Sequence, residues 1–278
     1  MRPIYHGIAA AAALAFGQPV ESQTITAPAA VTYADLADLA LAAPLVAHVR
    51  VERARALSER EMPTVPAGYR RFLVEAEVVS LIRGPAAVAQ QIRYLADVPN
   101  EGGRAARIRR RTEFLVLGAP VPNRPGEIRL VAPDAQLPYD AATADRLRAL
   151  LRESMAPNAA PRITGIGRAF SVPGSLPGES ETQIFLQTAD GRPISLNVLR
   201  RPGESPRWSV ALSEIVDDAA APPEPETLLW YRLACTLPPA LPRQSLQEAS
   251  ADEARTITAD YRLIKERLGP CARNRRPL

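Results

Sequence analysis

Apolar residues recur in this chain with two periods, and the changes between them mark its elements. Leu36, Leu39 and Ala40 share one face of a predicted helix over 33–42, which Thr32 can cap and Pro44 closes. The period then drops to two. In 45–56, Val49 and Val51 alternate with Arg50 and Glu52, the pattern of a half-buried strand. A long β-like run over 69–82 ends at Arg83-Gly84-Pro85, and shorter strands are predicted over 91–96, 112–117 and 127–131. Asp140 caps a second predicted helix, 141–155, with Ala144, Leu147, Leu151 and Met155 at helical spacing.

The period of two returns beyond Pro161. Strands are expected over 163–172, 181–188, 194–199 and 207–215, with turns at Asp190-Gly191 and Arg201-Pro202-Gly203. Consecutive hairpins predict an antiparallel meander, because parallel neighbours would need long crossovers. After Pro222–Pro225 come two helices, 226–235 and one opened by the Ser250/Glu253 capping box and closed by Gly269-Pro270. The expected class is α+β and β-rich: a five-stranded OB-like barrel or small sandwich, then a four-stranded antiparallel meander with a C-terminal helical pair. The corresponding parts are 23–157, an OB-like β domain with flanking helices, and 158–278.

Residues 1–22 read differently. Arg2 precedes the apolar stretch Ile8–Phe16, and small-residue cleavage options follow at Ala13-Leu14-Ala15 and Val20-Glu21-Ser22. That is the layout of a signal peptide, too short to span a bilayer, and it predicts a periplasmic or secreted protein. No later stretch approaches the roughly 20 apolar residues of a membrane helix. The compartment gives the only two cysteines a meaning. Cys235 and Cys271 are an even pair in an oxidising setting and predict one disulfide, with inert thiols or a redox pair as alternatives; C-x-x-C spacing is absent.

Composition narrows function mainly by exclusion. A hydrophobic content of 46% supports packed cores. The net charge of +4 is unchanged when Arg2 and Glu21 leave with the signal, and Lys265 is the only lysine. Arginine in place of lysine, with abundant Ala and Pro, reads as a GC-rich genome, and no nucleic-acid partner is expected. A nucleic-acid face on the barrel would need stacking platforms, for which Tyr69, Phe72, Tyr94 and Phe114 are the candidates. One histidine outside the signal, His48, and two cysteines do not make a zinc site. No calcium-loop pattern accompanies Asp217-Asp218, which reads as a solvated strand end. Lys265 reads as an exposed helix lysine, and no G-x-S-x-G elbow accompanies His48. No cofactor is expected.

Two segments remain as candidates. The loop between the first two meander strands carries Gly174, Ser175, Gly178 and Ser180, a display loop without the lysine of a phosphate cradle. The run 104–111 (RAARIRRR) carries Arg104, Arg107, Arg109, Arg110 and Arg111 between two strands, where it projects and can pair with phosphates or carboxylates.

The segments TQIFLQTADGRPISL (182–196) and TLLWYRLAC (227–235) resemble a group of uncharacterised exported proteins of GC-rich Gram-negative bacteria, which implies export but no activity. Leu81-Ile82-Arg83-Gly84 followed by Gln91-Ile92-Arg93 also resembles netrin-like and related OB-type modules, although those begin at a cysteine and this part does not. The expected function is a non-enzymatic envelope protein that binds or assembles with an envelope partner or an anionic surface. The alternative is a periplasmic hydrolase or transferase using strand carboxylates such as Glu75, Glu77 and Asp97.

Overall fold

The computed structural model describes residues 31–275 apart from 59, 63, 86–87, 102 and 213–219; the expected signal segment and Asp217-Asp218 lie outside the described residues. Thr32 caps α1 (Tyr33–Ala42) through a full capping box with Asp35. Six strands follow: β1 (Leu45–Ala56), β2 (Tyr69–Arg83), β3 (Gln91–Pro99), β4 (Glu113–Pro120), β5 (Glu127–Leu130) and β6 (Gln136–Pro138). Their order is β1-β2-β3-β5-β4, and β4 pairs back onto β1, so the sheet closes into a mixed five-stranded barrel with OB-like order. Closure decides between the barrel and the sandwich. The parallel β3–β5 seam is short, Arg93↔Glu127 and Tyr94↔Ile128, whereas β1 and β4 are paired from Leu45↔Gly118 to Arg50↔Glu113. β6 was not expected; three residues are too few to show alternation.

The apolar run at the start of β1 has a physical cause. Leu45, Ala47, Val49 and Val51 point into the barrel with Val74, Ile92, Tyr94 and Val116. Val46, with Leu115 and Leu117 of β4, faces outward against α1 and α2 (Ala141–Ser154). A strand buried on both faces loses its polar alternation. Register shifts at three places in the β1–β2 ladder let the long β2 bend around the barrel.

The meander consists of β7 (Ile163–Pro173), β8 (Ser180–Thr188), β9 (Ile194–Arg200) and β10 (Arg207–Ala211), all antiparallel in the order β10-β9-β8-β7. Helices α3 (Leu228–Ala234) and α4 (Ala251–Leu268) cover one face, burying Ile184, Leu196 and Val198 against Leu233, Ile257, Tyr261 and Ile264. α3 starts later than expected. Glu226 has φ 57, outside the helical region, and Thr227 caps instead, with the Glu153 carboxylate of α2 accepting from the Leu228 N–H at 3.0 Å. Leu229 and Trp230 pack against both the α1/α2 cluster and the meander core, so α3 is a shared wall. The Cys235–Cys271 disulfide ties the end of α3 to the chain beyond α4, with Cα atoms 5.1 Å apart.

Beyond that disulfide, the tail returns to the barrel side. Arg273 grips Asp38 of α1 with two hydrogen bonds (2.6 and 3.1 Å), and the Tyr231 hydroxyl donates to the same carboxylate at 2.6 Å. Backbone N–H groups of Asn274 and Arg275 donate to Asp35 at 3.0 and 3.2 Å. Arg275 pairs with Asp134 through both Nε (3.0 Å) and Nη2 (2.6 Å). Burial pushes the Asp35 carboxyl upward, but hydrogen bonds from Asn274, Thr32 and Arg275 outweigh it and hold the pKa below the usual value. A lowered folded-state pKa supplies stability that is present above the ordinary carboxylate value, about 3.9, and is lost as pH falls through the folded value. The tail is therefore expected to detach from α1 in acid before the barrel unfolds. Protection of the Asn274 and Arg275 amides, taken relative to the intrinsic exchange rate at each pH, should fall below about pH 4, and Asp35→Asn should produce that fall at neutral pH. Protection that ignores both would refute the coupling.

Candidate functional site

The β3–β4 connector carries the arginine run, and its backbone is fixed rather than loose. The Ala106 N–H donates to Asn100 Oδ1 at 2.9 Å, and the Arg111 N–H donates to the Val51 carbonyl at 2.7 Å. Ala106 is buried and Ile108 packs against the barrel core, so these two side chains close this end of the barrel. The expected solvent-projecting arm is thus a plug with a charged rim. Ala106 and Ile108 turn inward, leaving Arg104, Arg107, Arg109, Arg110 and Arg111 exposed. Arg111 itself has φ 68, a left-handed conformation that a non-glycine residue adopts at a cost. None of the five forms an ion pair with a carboxylate of the described residues. The neighbouring ends of β1 and β2 add exposed Arg53 and Arg70.

The 174–179 loop is also ordered, by its own groups. The Gly174 N–H donates to the Glu179 carbonyl at 2.9 Å, and the Glu179 carboxylate accepts from the N–H groups of Ser175 (3.0 Å) and Leu176 (3.3 Å). A Cβ on Gly174 would lie 2.3 Å from Glu179 Cγ, so any other residue there would displace the Glu179 side chain from these amides. Gly178 supplies the positive φ of the turn, and Ser180 begins β8 opposite Pro173. The amides of Gly174, Ser175, Leu176 and Glu179 are spent internally, and the loop displays the exposed side chain of Leu176.

Most of the remaining charged candidates have structural partners. His48 is buried on the outer face of β1, stacked on Tyr139 at 3.7 Å, with Nε2 2.9 Å from Glu113 Oε2. Arg50 donates to the other Glu113 oxygen at 3.0 Å, and Arg50 and His48 together hold the Glu113 carboxyl below its usual pKa. Asp97 is buried in a two-pronged ion pair with Arg71 (2.6 and 2.7 Å). Glu75 is exposed on β2, and Glu77 faces Arg50 at 3.7 Å. Phe72 and Tyr94 lie inside the barrel and offer no stacking surface, whereas Tyr69 and Phe114 are half-buried. Lys265 is not the free surface lysine expected: its ammonium donates to the Leu237 carbonyl at 3.0 Å, and burial lowers its pKa. Among the described residues, no cluster of three or more His, Cys, Asp or Glu side chains is arranged to hold a metal, and no helix is long and apolar enough to cross a membrane.

Sequence reasoning missed a buried polar chain under α4. Asp260, fully enclosed, accepts from Thr182 Oγ1 at 2.6 Å and from Arg200 Nε at 2.7 Å, and Ser171 Oγ lies 3.0 Å from Thr182 Oγ1. The sequence signal was present: Asp260 falls on the apolar stripe of Ile257, Tyr261 and Ile264. Comparison with family models finds no match to this chain, and a search of curated proteins finds none either.

Proposed function

We propose that this is an exported, non-enzymatic binding protein of the envelope whose arginine-rimmed barrel end contacts an anionic surface or an acidic partner. The observation that carries the reading is the connector: five exposed guanidiniums, unpaired with described carboxylates, on a backbone pinned to β1 and to Asn100. Pinning matters because charges already held in place lose less entropy when they pair with phosphate or carboxylate. The disulfide suits an oxidising compartment and supports the periplasmic reading. The enclosed Phe72 and Tyr94 weigh against single-stranded nucleic acid, which uses exposed rings.

The test is binding to phosphatidylglycerol-containing vesicles and to polyglutamate, compared with phosphatidylcholine vesicles. Near an anionic membrane each basic residue contributes about 1 kcal/mol, so changing all five arginines to glutamine should weaken vesicle binding at least about a hundredfold. Binding by the unaltered protein should fall steeply with salt. Failure to bind either polyanion, or equal binding by the five-fold variant, would end the proposal.

A further inference from the structure

Between the β7 edge and the segment 236–248 runs a cleft that none of the preceding features uses. One lobe, of about 320 Å³, is lined by Ile166, Arg168, Gln187, Gln244, Ser245 and Gln247. A second lobe, of about 300 Å³, shares Ile166, Gln187 and Gln244 and adds Thr164 and Thr236 over a floor that includes Pro238 and Pro242. Each lobe is near the lower limit of small-molecule sites. Gln187 borders both, and its position depends on a glycine: a Cβ on Gly165 would lie 2.6 Å from Gln187 Oε1. The hydroxyl of Ser245, in the 3₁₀ turn Arg243–Leu246, is buried without a hydrogen-bond partner among the described residues.

The chemistry of the lining is neutral and hydrogen-bonding. The charged side chains of the first lobe, Arg168 and Glu248, pair with each other at 3.2 Å and leave no net charge for an ion. Three carboxamides and several hydroxyls offer donors and acceptors side by side, the complement of adjacent hydroxyl groups. An extended peptide fits less well. β7 has register shifts between Ile163 and Gly165 and between Ile166 and Ala169, which break the regular edge a strand would need, along the length of the cleft.

We infer that this cleft binds a neutral saccharide of two linked rings, one per lobe, with Gln187 and Gln244 at the junction. The test uses the whole protein, following backbone amide resonances during titration with maltose, N,N′-diacetylchitobiose, digalacturonate and an uncharged hexapeptide. At least one neutral disaccharide should shift the amides of Gly165, Gly167 and Ser245 with a dissociation constant of about 1 mM or tighter. Gln187 and Gln244 are exposed, so Gln187→Ala and Gln244→Ala should fold normally while weakening binding about threefold to tenfold each. Three results overturn the inference: no shift with either neutral disaccharide at about 20 mM, undiminished binding in both variants, or binding of digalacturonate or the peptide instead.

Discussion

Replacing Asp260 by alanine should destabilise the protein by about 3 kcal/mol, the lower end of what breaking a buried ion pair costs, because Arg200 is partly open to water. Asp260 holds α4 to the meander from both sides. One oxygen is held by Arg200 of β9, and the other by Thr182 of β8. Truncation leaves the Arg200 charge without its partner, the enclosed Thr182 hydroxyl with one fewer, and a void beneath α4. Thr182→Val removes one hydrogen bond to a charged group and should cost about 1.5 kcal/mol. Because the two residues share that bond, the double variant should cost less than the sum of the single changes. Urea unfolding of the four proteins measures all of this. An Asp260→Ala variant within about 1 kcal/mol of the parent would mean that apolar packing alone holds α4.

The second large effect belongs to the disulfide. Cys235 and Cys271 are 36 residues apart, and closing a loop of that length restricts the unfolded chain by about 4 kcal/mol in the loop-entropy model. The double serine variant should therefore lose most of that stability, with a lower urea midpoint. It should also lose tail protection, because Arg273 and Arg275 follow the bridge directly and their reach to Asp38 and Asp134 depends on where Cys271 is held. Reducing the parent protein should reproduce both changes. Unaltered exchange at Asn274 and Arg275 after reduction would separate the tail from the bridge.

Elements that depend on neighbouring residues are legible in the amino-acid pattern. Thr32 and Asp140 cap α1 and α2 as expected, and the Ser250/Glu253 box opens α4. The alternation Thr182, Ile184, Leu186 against Gln183, Phe185, Gln187 gives the face of β8 that packs on α4. What local pattern cannot carry is pairing between distant segments. Barrel closure by β1 and β4 and the parallel β3–β5 seam rest on contacts across the chain. The connector illustrates the boundary. Its arginines stand out in the sequence, but the inward turn of Ala106 and Ile108 depends on an opening that exists only once the barrel has closed. The cleft beside β7 is invisible in the sequence for the same reason: Gln187 and Gln244 are brought together by an irregular segment with no periodic signal.

The hold of Arg273 on Asp38 spans 235 residues. A chain made, or threaded through a membrane, from its N-terminus presents α1 long before the groups that hydrogen-bond its two aspartates. The barrel can close on its own neighbours during that interval, but the outer layer of helices lacks these contacts until residues 273–275 emerge. The second cysteine arrives with those same residues, so oxidation and docking of the tail fall at one late stage. Contacts of such long range are slow to find, and partly assembled chains expose apolar surface while they wait. Completion of this fold is thus tied to the emergence of residues 273–275, and their docking on α1 is a late step of assembly.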